Sequence, residues 1–186
     1  MYTNNCCLLF CSIFLFFFSC NTTKNISSRT PDDQGFLVRI GDKAPNFKMQ
    51  CTNGLSHNLK DFRNKIVMLQ FTASWCGVCR KEMPYIENEI WQYHQLKNPD
   101  KFIVIGIDRD EPLETVKKFI EQTGVTYPIS LDANAAIFGL FADKKSGVTR
   151  NIIINSKGKI VHLTRLFDKE EFDTMKTVIS ELIDEL

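Results

Sequence analysis

Three observations predict an α/β domain, a central mixed sheet flanked by helices. Two short apolar runs, "IVMLQF" (66–71) and "FIVIGI" (102–107), are rich in β-branched and aromatic residues, as strands buried on both faces require. A segment of helical period lies between them, which makes a βαβ unit with a right-handed crossover. The chain then closes on a strand–turn–strand pattern followed by one more amphipathic helix.

The elements follow in order. "PNFKMQCTNGLSHNL" reads as an N-terminal β-hairpin turning at Asn53-Gly54. The helix after the first buried run spans about Cys76 to Leu96, with Met83, Ile86, Ile90 and Tyr93 as its apolar face. Asp110 is the expected cap of "EPLETVKKFIEQTG", where Pro112 is tolerated in the first turn and Gly124 stops the helix. Leu113, Val116, Phe119 and Ile120 form its buried stripe. "YPISLD" (127–132) is a further strand and "NAAIFGLFA" (134–142) a short helix. "RNIIIN" (150–155) and "KIVHLT" (159–164) flank Ser156-Lys157-Gly158 as an antiparallel hairpin. The last helix starts at Asp168, with Glu171 as a capping-box partner and Phe172, Met175, Val178, Ile179 and Leu182 on its inner face.

The 186 residues leave room for about one domain, and a net charge of +1 gives no electrostatic reason to expect nucleic acid as a partner. The N-terminus is of another kind. "LLFCSIFLFFF" (8–18) is too short to span a hydrocarbon core of about 30 Å, but fits the apolar region of a secretory signal. "FFSCN" then resembles the junction of a bacterial lipoprotein signal, in which Cys20 becomes the lipidated first residue. The resulting expectation is a signal peptide over 1–20, a flexible tether over 21–35 and one domain over 36–186. Acyl chains on Cys20 would anchor the domain, since each buried CH₂ contributes about 0.8 kcal/mol.

Removal of that signal changes the cysteine count. Cys6, Cys7 and Cys11 leave, Cys20 carries lipid, and Cys51, Cys76 and Cys79 remain. The pair in "FTASWCGVCRKEMP" has three readings: a metal clip, a structural staple or a working dithiol. Three thiols cannot form a Cys₄ zinc site, and no histidine stands at ligand spacing. A disulfide over so short a loop removes little chain entropy. The working dithiol is therefore favoured, with no cofactor beyond a redox-active Cys76/Cys79 pair and no metal. A cysteine between a buried strand and a helix meets the unpaired N–H groups and positive end of that helix, which favour thiolate. Cys76 is thus the expected nucleophile, and Cys79, on the same helical face, the resolving thiol. Trp75 would shield one side of the nucleophile. Cys51 reads as a small buried or strand-edge residue.

"GDKAPNFKM", "LKDFRNKIVMLQFTASWCGVCRKEMP", "FIVIGIDRD" and "IIINSKGKIV", in that order, resemble the thioredoxin superfamily and, more closely, its TlpA/ResA-like membrane-tethered thiol–disulfide oxidoreductases. The resemblance covers about residues 36–186. It implies a thioredoxin-like fold with an N-terminal β-hairpin and an inserted βα element before the final hairpin. It also implies protein thiols and disulfides as substrates, an upstream membrane thiol reductant and an extracytoplasmic place in a bacterial cell envelope. Glu82 matches an acidic residue that this branch keeps beneath the dithiol, where burial would raise its pKa and let it exchange a proton with Cys79. An exposed first-turn glutamate is the alternative.

One departure stands out. The family usually has a cis-proline opposite the dithiol, and here "SGVTRNIIIN" puts Thr149 in its place, between Val148 and Arg150. A cis bond at a non-proline residue costs about 2.5–4 kcal/mol, so a trans Thr149 is expected, its hydroxyl free to donate to the Cys76 sulfur or to contact metal. Val148, Thr149 and Arg150 would then tune the site and meet substrate. Arg150 also opens a peroxiredoxin-like alternative in which it activates Cys76, although "FTASWCGVC" lacks the proline and threonine of that motif; otherwise it is a solvated edge charge. A non-enzymatic binding module is a third alternative. His57, His94 and His162 are isolated and read as surface residues.

Overall fold

The computed structural model describes residues 30–186, so the proposed signal, Cys20 and the first part of the tether lie outside the described residues. Seven strands form one mixed sheet in the order β2-β1-β5-β4-β3-β6-β7. They are β1 (Lys48–Cys51), β2 (Ser56–Asn58), β3 (Ile66–Thr72), β4 (Phe102–Arg109), β5 (Ile129–Asp132), β6 (Arg150–Ile154) and β7 (Ile160–Arg165). β3, β4 and β5 run parallel, while β1, β2, β6 and β7 pair antiparallel with their neighbours. The expected N-terminal hairpin is β1–β2, which joins the sheet by pairing Gln50 with Leu131.

β3 is buried along its whole length, which is why "IVMLQF" has no polar alternation. Val67, Leu69 and Phe71 face a core shared with Phe36, Val38, Phe138, Phe141 and Ile152. Ile66 and Met68 face the opposite core, where Met83, Ile86, Ile90, Phe119, Phe172, Met175 and Ile179 pack. The helices of that second layer are α1 (Gly77–Tyr85) with its continuation, α3 (Leu113–Thr123) and α5 (Lys169–Asp184), while the short α4 (Phe138–Phe141) packs into the first core. Asp168 caps α5 by accepting from the Glu170 and Glu171 N–H groups.

The structure corrects three sequence expectations. The helix from Cys76 is not uniformly α: after Pro84, which has no N–H to donate, Ile86–Trp91 forms a π segment before α2 (Gln92–Lys97). That wider turn rotates the inner face by one residue, so His94 is buried against Phe102 while Tyr93 is 47% exposed. The second correction concerns α3. It is preceded by Pro112 in extended conformation, whereas Asp110 takes a left-handed φ of 63° and pairs with Arg109. The third is Arg150, which is fully buried rather than a solvated edge charge. It stacks over Phe36 and donates to the carbonyls of Gly147 and Gln34. A guanidinium with no water needs such acceptors, and burial lowers its pKa to about 10.

Candidate active site

β3 delivers the chain to the site. Beyond Thr72 the backbone turns through Ala73–Trp75 and starts α1, with Cys76 as its N-cap at φ −87°, ψ 104°. The turn is fixed from outside. Glu111 accepts from both the N–H and the hydroxyl of Ser74, each at 2.5 Å, and Arg80 Nε donates to the Ser74 carbonyl at 2.7 Å. Cys76 and Cys79 are joined as a disulfide across 5.3 Å between Cα atoms. The Cys79 N–H points at Cys76 Sγ from 3.1 Å, the capping geometry that favours a thiolate there once the bond is reduced. Cys79 is wholly buried, Cys76 is 8% exposed, and Trp75 beside them is 62% exposed.

Thr149 faces the pair. Its Oγ1 lies 3.1 Å from Cys76 Sγ and 3.3 Å from Cys79 Sγ. No cis peptide bond occurs among the described residues, so Thr149 sits in a trans chain. Its carbonyl accepts from the N–H of Leu166, and Val148 beside it is buried. The structure thus brings Trp75, Cys76, Cys79, Val148 and Thr149 to one end of the sheet. Arg150 starts β6 there, but its hydrogen bonds run to backbone carbonyls, which removes the group that the peroxidase alternative needs at the sulfur.

Beneath the disulfide lies Glu82, one turn beyond Cys79 and 1% exposed, so it is not a solvated first-turn charge. Burial pushes its carboxyl up to about 7, against the pull of hydrogen bonds from Asn151 and Gln70. Asn151 Nδ2 donates to Oε1 at 2.6 Å, and Gln70 Nε2 lies 3.5 Å from Oε2. Gln70 Oε1 in turn accepts the Tyr127 hydroxyl at 2.6 Å. Sequence reasoning missed these amides. The signal was present, since Gln70 and Asn151 interrupt otherwise apolar strand interiors, where a polar residue needs a buried partner.

Asp108, at the end of β4, is a second buried carboxyl outside the sequence expectations. Neither oxygen has a hydrogen-bond partner among the described residues, and burial first, then the neighbouring Glu111, push its pKa up to about 8. Cys51 is free and buried, in the wall of a 290 Å³ cavity with Met49, Phe62 and Ile105. Among the described residues, no group of three or more His, Cys, Asp or Glu side chains is arranged to hold a metal ion.

A mixed sheet with helices on its faces and a bonded Cys-x-x-Cys at a helix N-terminus defines a thioredoxin-fold thiol–disulfide oxidoreductase. The redoxin family profile matches residues 39–179, and the chain belongs to that family, within the ResA/TlpA-like part of the thioredoxin superfamily. The thiol–disulfide oxidoreductase ResA of Bacillus thuringiensis (strain Al Hakam) is 34% identical over 133 residues, covering 69% of this chain and 73% of that protein. ResA of Bacillus subtilis (strain 168) is 36% identical over 124 residues, covering 67% and 66%. A solution structure from Bacteroides thetaiotaomicron, provisionally described as a protein disulfide isomerase, is 53% identical with a TM-score of 0.78, covering 81% of this chain and 94% of that one.

Proposed function

We propose that this oxidoreductase works outside the cytoplasm, held to a membrane by lipid on Cys20, and reduces disulfides in partner proteins. The observation that carries the reading is the Cys76–Cys79 pair at the start of α1, with the Cys79 N–H and the Thr149 hydroxyl both aimed at Cys76 Sγ. In the reduced protein Cys76 is the thiolate. It attacks one sulfur of a substrate disulfide, a mixed disulfide forms and the first substrate thiolate leaves. Cys79 then gives its proton to Glu82 and attacks Cys76 Sγ. The Cys76–Cys79 bond reforms, the second substrate thiolate leaves, and the substrate has gained two electrons. An upstream membrane dithiol returns the pair to the reduced state, completing the cycle.

Location rests on the apolar run at 8–18 and the Ser19-Cys20 junction. No helix among the described residues is long and apolar enough to cross a membrane. Labelled fatty acid incorporated by cells expressing the full chain, and lost in Cys20→Ser, tests the anchor. Direction is tested by the reduction potential, from thiol counts in dithiothreitol and glutathione buffers. A value near the thioredoxin end, about −270 mV, supports a reductant; one near about −120 mV makes the protein an oxidant and refutes the proposed direction.

A further inference from the structure

Two amides grow out of apolar strands and converge on Glu82: Asn151 from β6, wholly buried, and Gln70 from β3, also wholly buried. A buried amide is costly unless it is hydrogen-bonded, so neither is there for packing alone. We propose that Asn151 is a positioning residue for thiol–disulfide exchange: with the Tyr127-braced Gln70 amide, it keeps Glu82 able to take up and return the Cys79 proton. This rests on the proposed proton exchange between Glu82 and Cys79.

Burial alone would hold Glu82 protonated at neutral pH, since a carboxylate in a dry site has lost its water. Donors oppose that by favouring the anion. The groups around Glu82 are Asn151 from β6, Gln70 from β3 and Tyr127 from the turn ahead of β5, with Thr164 from β7 behind Asn151, and Cys79 precedes it by one turn on its own helix. Glu87, in the π segment, acts on Tyr127. The causes that displace Glu82 are burial, then Asn151, then Gln70; no charged side chain is among them. The two amides are therefore what offsets burial in placing its titration.

Their geometry also divides the work between the two oxygens. Asn151 Nδ2 donates at once to Glu82 Oε1 and to Thr164 Oγ1, at 2.6 and 3.0 Å, so turning its amide over would give up the shorter bond to the carboxylate. Gln70 reaches Glu82 Oε2 only at 3.5 Å, and its short bond, at 2.6 Å, is to the Tyr127 hydroxyl, which can donate or accept. The Cys79 proton is thus received on Oε2. Gln70 then turns its carbonyl to the new O–H and its NH₂ to the Tyr127 oxygen. When the dithiol is reduced again, the proton returns to Cys79 and Gln70 turns back. Neither protonation state leaves Gln70 unpaired.

The test uses the full chain with ¹³Cδ-labelled glutamate, Glu82 being identified by the signal lost in Glu82→Gln. Asn151→Ala should move the Glu82 midpoint upward by about one to two pH units, the loss of one hydrogen bond to a charged group. Asn151→Thr, which restores a donor, should bring it part of the way back, and Asn151→Val, which has no donor and suits a strand, serves in place of alanine if that variant does not fold. The resolution step, followed as release of the second thionitrobenzoate from Ellman's reagent, should shift its pH profile by the same interval. An unmoved Glu82 midpoint in both variants overturns the inference. A midpoint that moves while the resolution profile stays fixed leaves Asn151 as the group that sets Glu82 but overturns the proton exchange, and with it any role of Asn151 in catalysis.

Discussion

Thr149→Val removes a hydroxyl 3.1 Å from Cys76 Sγ and keeps the shape of the side chain. In the reduced protein that hydroxyl and the Cys79 N–H are the two donors to the thiolate, and the backbone donor survives the substitution. A hydrogen bond to a charged group contributes about 1.5–3 kcal/mol. Sulfur is a diffuse acceptor and this hydroxyl is shared with Cys79 Sγ at 3.3 Å, so the lower end applies. About 1.4 kcal/mol is one pH unit, which raises the Cys76 pKa by about one. Below the midpoint the thiolate fraction then falls about tenfold. A more basic thiolate is the better nucleophile, with a Brønsted slope of about 0.4–0.5, which restores about threefold. The net expectation is an attack about three times slower. Iodoacetamide alkylation of the reduced protein between pH 4 and 10, read at Cys76 by mass spectrometry, gives the midpoint and the plateau. Thr149→Ser should behave as the parent. A valine variant whose midpoint is unchanged or lower refutes the idea that this hydroxyl donates to the thiolate.

Asp108 binds a proton in the fold that it releases on unfolding anywhere between its ordinary pKa, near 3.8, and about 8. Its contribution is therefore fully present at low pH and is lost as pH rises through that window, so Asp108→Asn should raise Tm by about 4 °C or more at pH 8 and by little at pH 4; equal gains at both pH values would contradict this in thermal scans. Phe138→Ala opens a hole beside Phe71 and Arg109 and should cost about 3–5 kcal/mol in urea unfolding; a loss under 1 kcal/mol would show that the core on that face collapses freely. Cys51 is 5% exposed and burial raises its pKa, so in the reduced native protein it should alkylate at least tenfold more slowly than Cys76, and match it only in denaturant.

The sequence made the layers legible where one physical signal dominates. The apolar runs of β3 and β4 admit no exposed face, and the hairpin of β6 and β7 turns at Gly158, whose φ is 78°. The cysteine pair at the start of a helix was equally readable because it follows from local order, whereas the place of Thr149 opposite it, 73 residues on, was legible only through the family resemblance. What failed was long-range or cooperative. A helical wheel drawn at constant pitch cannot foresee the π segment, so Tyr93 and His94 exchanged places. Arg150 looks like an edge charge until Phe36 and the Gln34 carbonyl, 116 residues upstream, close over it. The clamp of Glu111 on Ser74 joins residues 37 apart, and neither is distinctive alone.

The strand order has a consequence for the polypeptides this protein meets. An unpaired strand edge is a template on which another chain can add itself. Here one outer edge is β2, three residues long and polar, and the other is β7, whose register with β6 shifts at Ile153/Ile154 and whose far end carries Arg165. β5, which would otherwise be a bare margin of the parallel set, is covered by β1. Backbone capture along either flank is thus discouraged. The sulfurs sit at the end of β3, an interior strand, so exchange there calls for no added strand and no lasting attachment.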